Sequence, residues 1–152
     1  MKYEKYDSLI ATIDFLEYEF VSVGTKGSIK KIVQFKPTDN SAVFNLAFGN
    51  KKKDGSLDDL AKGGNKDRNK ILATVVASVY LFAAEYPLKW IFFSGSTPER
   101  TRLYRMAIAL NFEELSVDFE IIGILKDFDA FVYVPFEKEV NYFGFLIRRK
   151  NV

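Results

Sequence analysis

One stretch constrains the fold more than any other. From about Lys66 to Glu85 the chain places Ile71, Leu72, Val75, Val76, Val79, Leu81 and Phe82 on nearly every face of a helix, with alanines between them. A surface helix carries one apolar stripe, so a helix that is apolar all round must be covered by neighbours on most sides. Pro87 stops it, because the residue before a proline avoids the helical region. Asn65 is placed to cap its start. Whatever surrounds this helix must come from the other 130 or so residues of a 152-residue chain. A chain of that length is expected to form a single domain over residues 1–152, with a core large enough to fold without cross-links.

The flanking segments read as strands. Apolar and polar residues alternate over Phe15–Val23, Gly24-Thr25-Lys26-Gly27 signals a turn, and Ser28–Lys36 completes a hairpin. A third strand fits Ala42–Phe48 after Pro37-Thr38-Asp39-Asn40. Residues 49–66 are polar and glycine-rich and read as one long loop. After the helix, Lys89–Phe93 is a short apolar strand, central in the sheet. A second helix begins at Thr97 as N-cap, with Pro98 in the first position and Glu99 in the first turn, and runs to about Leu110. Its core stripe is Leu103, Met106, Ala107 and Leu110. Phe119–Leu125 and Ala130–Phe136 form a second hairpin, and Tyr142–Arg149 fits a last strand. The expected class is α+β: a mixed, mostly antiparallel sheet with two main helices, in the order β-β-β-α-β-α-β-β. Fifteen Phe and eight Tyr are expected to fill the core as rings on strands.

Composition then limits the chemistry. The chain has no cysteine and no histidine. Disulfides, thiol nucleophiles, Cys/His zinc sites, Ser-His-Asp triads and histidine acid–base catalysis are therefore excluded. Acidic pairs such as Asp58/Asp59, Glu113/Glu114 and Asp127/Asp129 read as exposed turns with no EF-hand spacing, so no metal is called for. No run approaches the about 18 apolar residues of a membrane span, and Met1-Lys2-Tyr3-Glu4-Lys5 lacks a signal-peptide core, so a cytoplasmic setting with no membrane partner is expected. A net charge of +2 is too near balance for a general nucleic-acid coat, and no nucleic-acid partner is expected.

One segment concentrates the remaining chemistry. Three of the chain's six arginines lie in Ser94–Arg105. A strand that ends in small residues and enters a helix presents backbone N–H groups and the positive dipole end to an anion. Gly95, Ser96, Thr97, Arg100, Thr101, Arg102 and Arg105 are the candidate ligand-binding residues there, for a phosphate or carboxylate group. The competing reading is a capped helix with a solvated basic face. A second candidate is the Gly63-Gly64-Asn65-Lys66-Asp67-Arg68 approach to the first helix, with Asn65 and Arg68 as its binding residues. Neither segment carries a P-loop or a GxGxxG pattern.

Two resemblances bear on function. Glu19-Phe20-Val21-Ser22, Phe44-Asn45-Leu46-Ala47-Phe48-Gly49, Lys70-Ile71-Leu72-Ala73-Thr74-Val75 and Gly95-Ser96-Thr97 with Arg100–Arg105 resemble an uncharacterised family of short bacterial proteins, a domain of unknown function. Over roughly residues 17–136 the order of elements also resembles the GCN5-related N-acetyltransferase core. That resemblance implies a coenzyme A-like ligand and aligns Leu103-Tyr104 with a Leu-Tyr pair whose tyrosine acts as general acid, so it marks Tyr104 as catalytic. A carboxylate such as Glu17 or Glu19 would be the base. The first expectation is a non-catalytic binding or regulatory module for a small anionic ligand or a protein partner. The alternative is a divergent acyl-CoA-dependent N-acyltransferase.

Overall fold

A computed structural model describes residues 3–58 and 64–150. The strands are β1 (Ile10–Ala11), β2 (Glu17–Gly24), β3 (Gly27–Pro37), β4 (Val43–Lys51), β5 (Leu57–Asp58), β6 (Trp90–Phe93), β7 (Phe119–Asp127), β8 (Ala130–Pro135) and β9 (Gly144–Arg149). The helices are α1 (Arg68–Glu85), α2 (Pro98–Leu110) and α3 (Phe112–Asp118). All the strands join one sheet in the spatial order β1-β2-β3-β4-β6-β9-β7-β8, with β5 paired to the end of β4. Only β4 and β6 run parallel, and α1 is the crossover that parallel neighbours require.

The expected fold is corrected in two respects. Among the described residues there are three helices rather than two, and the strand order differs from β-β-β-α-β-α-β-β, so the acetyltransferase-like arrangement is overturned with it. The extra helix, α3, follows α2 after the single residue Asn111, whose side-chain amide donates to the Ala107 carbonyl at 2.9 Å and turns the chain. Glu113 and Glu114 lie in the first turn of α3, where the helix dipole favours acids, so they read as a helix start and not as a turn. The extra strands β1 and β5 have two residues each and leave no periodicity to detect. β5 also breaks up the expected 49–66 loop: Lys52–Ser56 is a tight turn, closed by the Lys52 amide on the Ser56 carbonyl at 2.8 Å. Asp59 and Gly63 lie outside the described residues.

All three helices pack on one face of the sheet. Phe82 of α1 stacks on Phe35 at 4.2 Å between centroids, and Tyr104 of α2 meets Phe93 edge-on at 5.3 Å. Tyr18, Phe20, Phe35, Phe48, Phe93 and Phe145 come from strands and fill this core with rings. The sheet covers one side of α1. The N-terminal segment covers another: the Tyr6 amide donates to Thr74 Oγ1 at 2.8 Å, and the Tyr86 hydroxyl donates to the Asp14 carbonyl at 2.8 Å. α2 packs along a third side, so the all-round apolar helix has its covering.

Candidate functional site

The chain leaves β6 through Ser94-Gly95-Ser96 and enters α2 at Thr97. Thr97 caps the helix as expected: its hydroxyl accepts the Arg100 amide at 3.2 Å, and its carbonyl accepts the Thr101 amide at 3.1 Å. The Gly95 amide donates to Thr101 Oγ1 at 3.0 Å. At Gly95 the backbone comes so close to the helix that a Cβ would lie 2.3 Å from Arg100 Cβ and 2.3 Å from the Thr101 nitrogen. Only glycine fits there.

This start binds much of its own polar surface. Pro98 has no N–H, Arg100 is capped and Thr101 begins the helical ladder, so the Glu99 amide is the only first-turn donor left to a ligand. What opens beside it is a cavity of about 430 Å³ between the start of α2 and the loop before β9. Ser94, Ser96, Arg102, Arg105, Asn141 and Phe143 line it, and no carboxylate does. Arg105 donates from Nη1 to Asn141 Oδ1 at 2.9 Å. Arg102 is exposed and makes no ion pair or side-chain hydrogen bond among the described residues. The cavity thus holds two guanidinium groups whose charge no acid on its wall offsets.

The structure divides the other candidates. Gly95, Ser96, Thr97, Thr101, Arg102 and Arg105 line this cavity. Arg100 turns the opposite way: its Nη2 donates to the Phe48 carbonyl, and its guanidinium lies 5.6 Å from the Phe48 ring centre. β4 pairs β6 only through Val43–Asn45 and β5 only through Asn50 and Lys51, so Arg100 bonds the backbone edge left open between them. Tyr104 is 7% exposed and sits in the core against Phe93, beside Leu46 and Val76 and away from the arginine cavity. The buried stripe of α2 is Tyr104, Ala107 and Ile108; of the expected Leu103, Met106, Ala107 and Leu110, Ala107 is buried and the other three are half-buried. Glu17 and Glu19 lie on the helix-free face of the sheet, where Glu17 accepts from Gln34 at 3.2 Å and Glu19 pairs with Lys51.

Asn65 and Arg68 lie elsewhere. Asn65 is not the cap of α1; Asp67 holds that position, with no side-chain bond to the helix. Asn65 is 4% exposed and clasps the β2–β3 turn. Its amide donates to the Ser22 carbonyl (3.3 Å), Ser22 Oγ (3.0 Å) and the Gly27 carbonyl (3.0 Å), and its oxygen accepts the Lys26 amide at 2.7 Å. Beside it, Asp67 Oδ2 accepts from Ser22 Oγ at 2.6 Å and from the Tyr6 hydroxyl. Burial and the Asp67 carboxylate together raise the Tyr6 phenol above its ordinary value. Arg68 is exposed beside Tyr3, Lys66 and Lys70, on a shallow hollow that shares no residue with the arginine cavity.

Two features escaped the sequence. Asn141 and Phe143 belong to the cavity through a loop with no motif of its own. Lys31 is a buried cation, 4% exposed, whose Nζ bonds Asn50 Oδ1. Burial first, and the nearby Arg100 second, lower its ammonium below the ordinary lysine value. Among the described residues no helix is long and apolar enough to cross a membrane, and no three acidic side chains gather as a metal site would need.

Fold and cavity together define an α+β protein with a single helix-backed sheet and an arginine-lined hollow at one helix start. The chain belongs to the family of unknown function DUF6934, which matches residues 2–150. No curated protein and no solved structure matches it significantly.

Proposed function

We propose that the protein is a binding or regulatory module that takes a small phosphate- or carboxylate-bearing ligand in the cavity at the start of α2. The observation that carries this reading is the pairing of Arg102, which has no protein partner among the described residues, with Arg105, which is held only by a neutral amide. Guanidinium forks bond such oxygens in pairs, and charge-assisted bonds are about twice as strong as neutral ones. Ser94 and Ser96 add hydroxyl donors, and Phe143 adds an apolar wall for the rest of the ligand. The cytoplasmic setting expected from the sequence is part of this reading.

The N-acyltransferase alternative would use the same cavity for the phosphates of a coenzyme A-like ligand, with Tyr104 as acid. The burial of Tyr104 against Phe93 favours the binding module over that reaction. Calorimetric titration with inorganic phosphate, acetate and coenzyme A tests both readings. Phosphate or coenzyme A is expected to bind, and Arg102→Ala with Arg105→Ala to weaken binding by about tenfold or more, the effect of about 1.4 kcal/mol. Unchanged affinity in the double variant, or no heat from any of the three at millimolar concentration, overturns the site. Acyl transfer from acetyl-CoA to an amine that fails in Tyr104→Phe would replace the module with the enzyme.

A further inference from the structure

The two edges of the sheet differ. One is β1, two residues long. The other is β8, six residues long, with no charged side chain. Monomeric proteins blunt such edges with lysines, bulges or short strands, because an open ladder recruits another strand. On β8 only Pro135, at its end, does any blunting.

The pattern of open groups on β8 fits a second copy of the same strand. Ala130 pairs with Asp127 across a two-residue turn, and the Phe136 amide bonds the Ile121 carbonyl at 3.2 Å. Even-numbered residues therefore face β7, and the N–H and C=O of Phe131 and Tyr133 point outward. That set is self-complementary. With β8 antiparallel to its own copy about a two-fold axis at Val132, Phe131 exchanges two bonds with Tyr133 of the second copy, and Tyr133 does the same with Phe131. All four outward groups on each copy are then satisfied.

The surface supports the same partner. Phe128, Phe131, Val132, Tyr133 and Phe143 are 42–93% exposed. At about 200 Å² for a whole aromatic side chain, they offer roughly 550 Å² of apolar surface per copy. A two-fold pairing can bury at most about 1,100 Å² of this apolar surface, to which the strand backbones add, against the about 1,000 Å² a specific interface needs. Phe131 already stacks on Phe143 at 5.1 Å, so the aromatic patch is in place beside the strand.

We propose that the protein forms a two-fold homodimer through β8, which joins two sheets into one. This inference does not rest on the anion reading, although Phe143 borders both the cavity and the β8 edge. Val132 gives the test, since its side chain is partly exposed and faces Val132 of the second copy across a closely spaced, non-hydrogen-bonded pair. Sedimentation equilibrium over about 1–500 µM is expected to show wild type passing from monomer to dimer. Val132→Lys and Val132→Asp, each checked for native circular dichroism, are expected to stay monomeric alone, because like charges then stand opposite one another. Their equimolar mixture is expected to dimerise. The proposal falls if wild type stays monomeric throughout, which leaves the edge to a strand of another protein. It also falls if either variant dimerises like wild type, or if the mixture does not associate.

Discussion

Residues of one type do different work here, and burial separates them. Arg102 is exposed at the cavity, whereas Arg100, two positions earlier, bonds the Phe48 carbonyl inside the molecule. Spacing along the sequence gathered all the arginines of this segment into one group. It could not tell which would be drawn inward, because that depends on a gap in the pairing of β4. Lys31 was equally invisible: it sits in an alternating strand at a position that faces the helices, where an apolar residue is the rule. Its buried ammonium costs stability, and the sign with pH follows. The folded chain gives up this proton before the unfolded chain does, so stability from this group rises with pH on the way up to the ordinary value of 10.5. Lys31→Met is therefore expected to raise the melting temperature at pH 7 by roughly 2–4 °C, for about 1 kcal/mol. The gain should shrink towards pH 10; scanning calorimetry across that range checks it, and a loss at pH 7 refutes it. Tyr6, Tyr18 and Tyr80 work in the opposite sense, since their phenols are raised and their contribution falls once the unfolded chain ionises near pH 10.

Elements were legible where their signals were long or chemical. The apolar periodicity of α1, the Thr97-Pro98-Glu99 start of α2 and the two hairpins lie within a few residues of where the pattern puts them. Short elements were not legible, because two residues of β1 or β5 carry no period and the seven of α3 are too few to show one, so that Glu113/Glu114 read as a turn. The small residues of the turn from β6 into α2 suggest a binding loop, but Gly95 is there because α2 leaves no space for a Cβ. Gly95→Ala must push the helix start off the strand end and disturb the Thr101 bond. It is expected to cost about 1–3 kcal/mol, in the range of overpacked sites, and to lower ligand affinity with it. Urea unfolding of the variant measures this, and a change under about 0.5 kcal/mol would show that the helix shifts freely.

At the scale of the whole molecule, the sheet was anticipated as mixed and mostly antiparallel, and it is. Its strand order was not, because nothing in a strand's own residues records which neighbours it will lie between. β9 is the case in point: it is the latest strand in sequence, yet it pairs β6 on one side and β7 on the other. A chain cut after Asn141 is expected to lose cooperative unfolding, and a peptide of residues 142–150 added in trans is expected to restore it. Thermal melts followed by circular dichroism decide this; a cooperative melt without the peptide would show that β9 is dispensable. The placement of β9 also has a consequence in time. Without β9, β1–β6 with α1 and the β7–β8 hairpin are two half-sheets with no strand in common. Each keeps a raw edge until the final strand arrives between them. Contacts so distant in sequence form late and slowly, so two strand edges, on β6 and β7, stay open to wrong pairing until β9 docks.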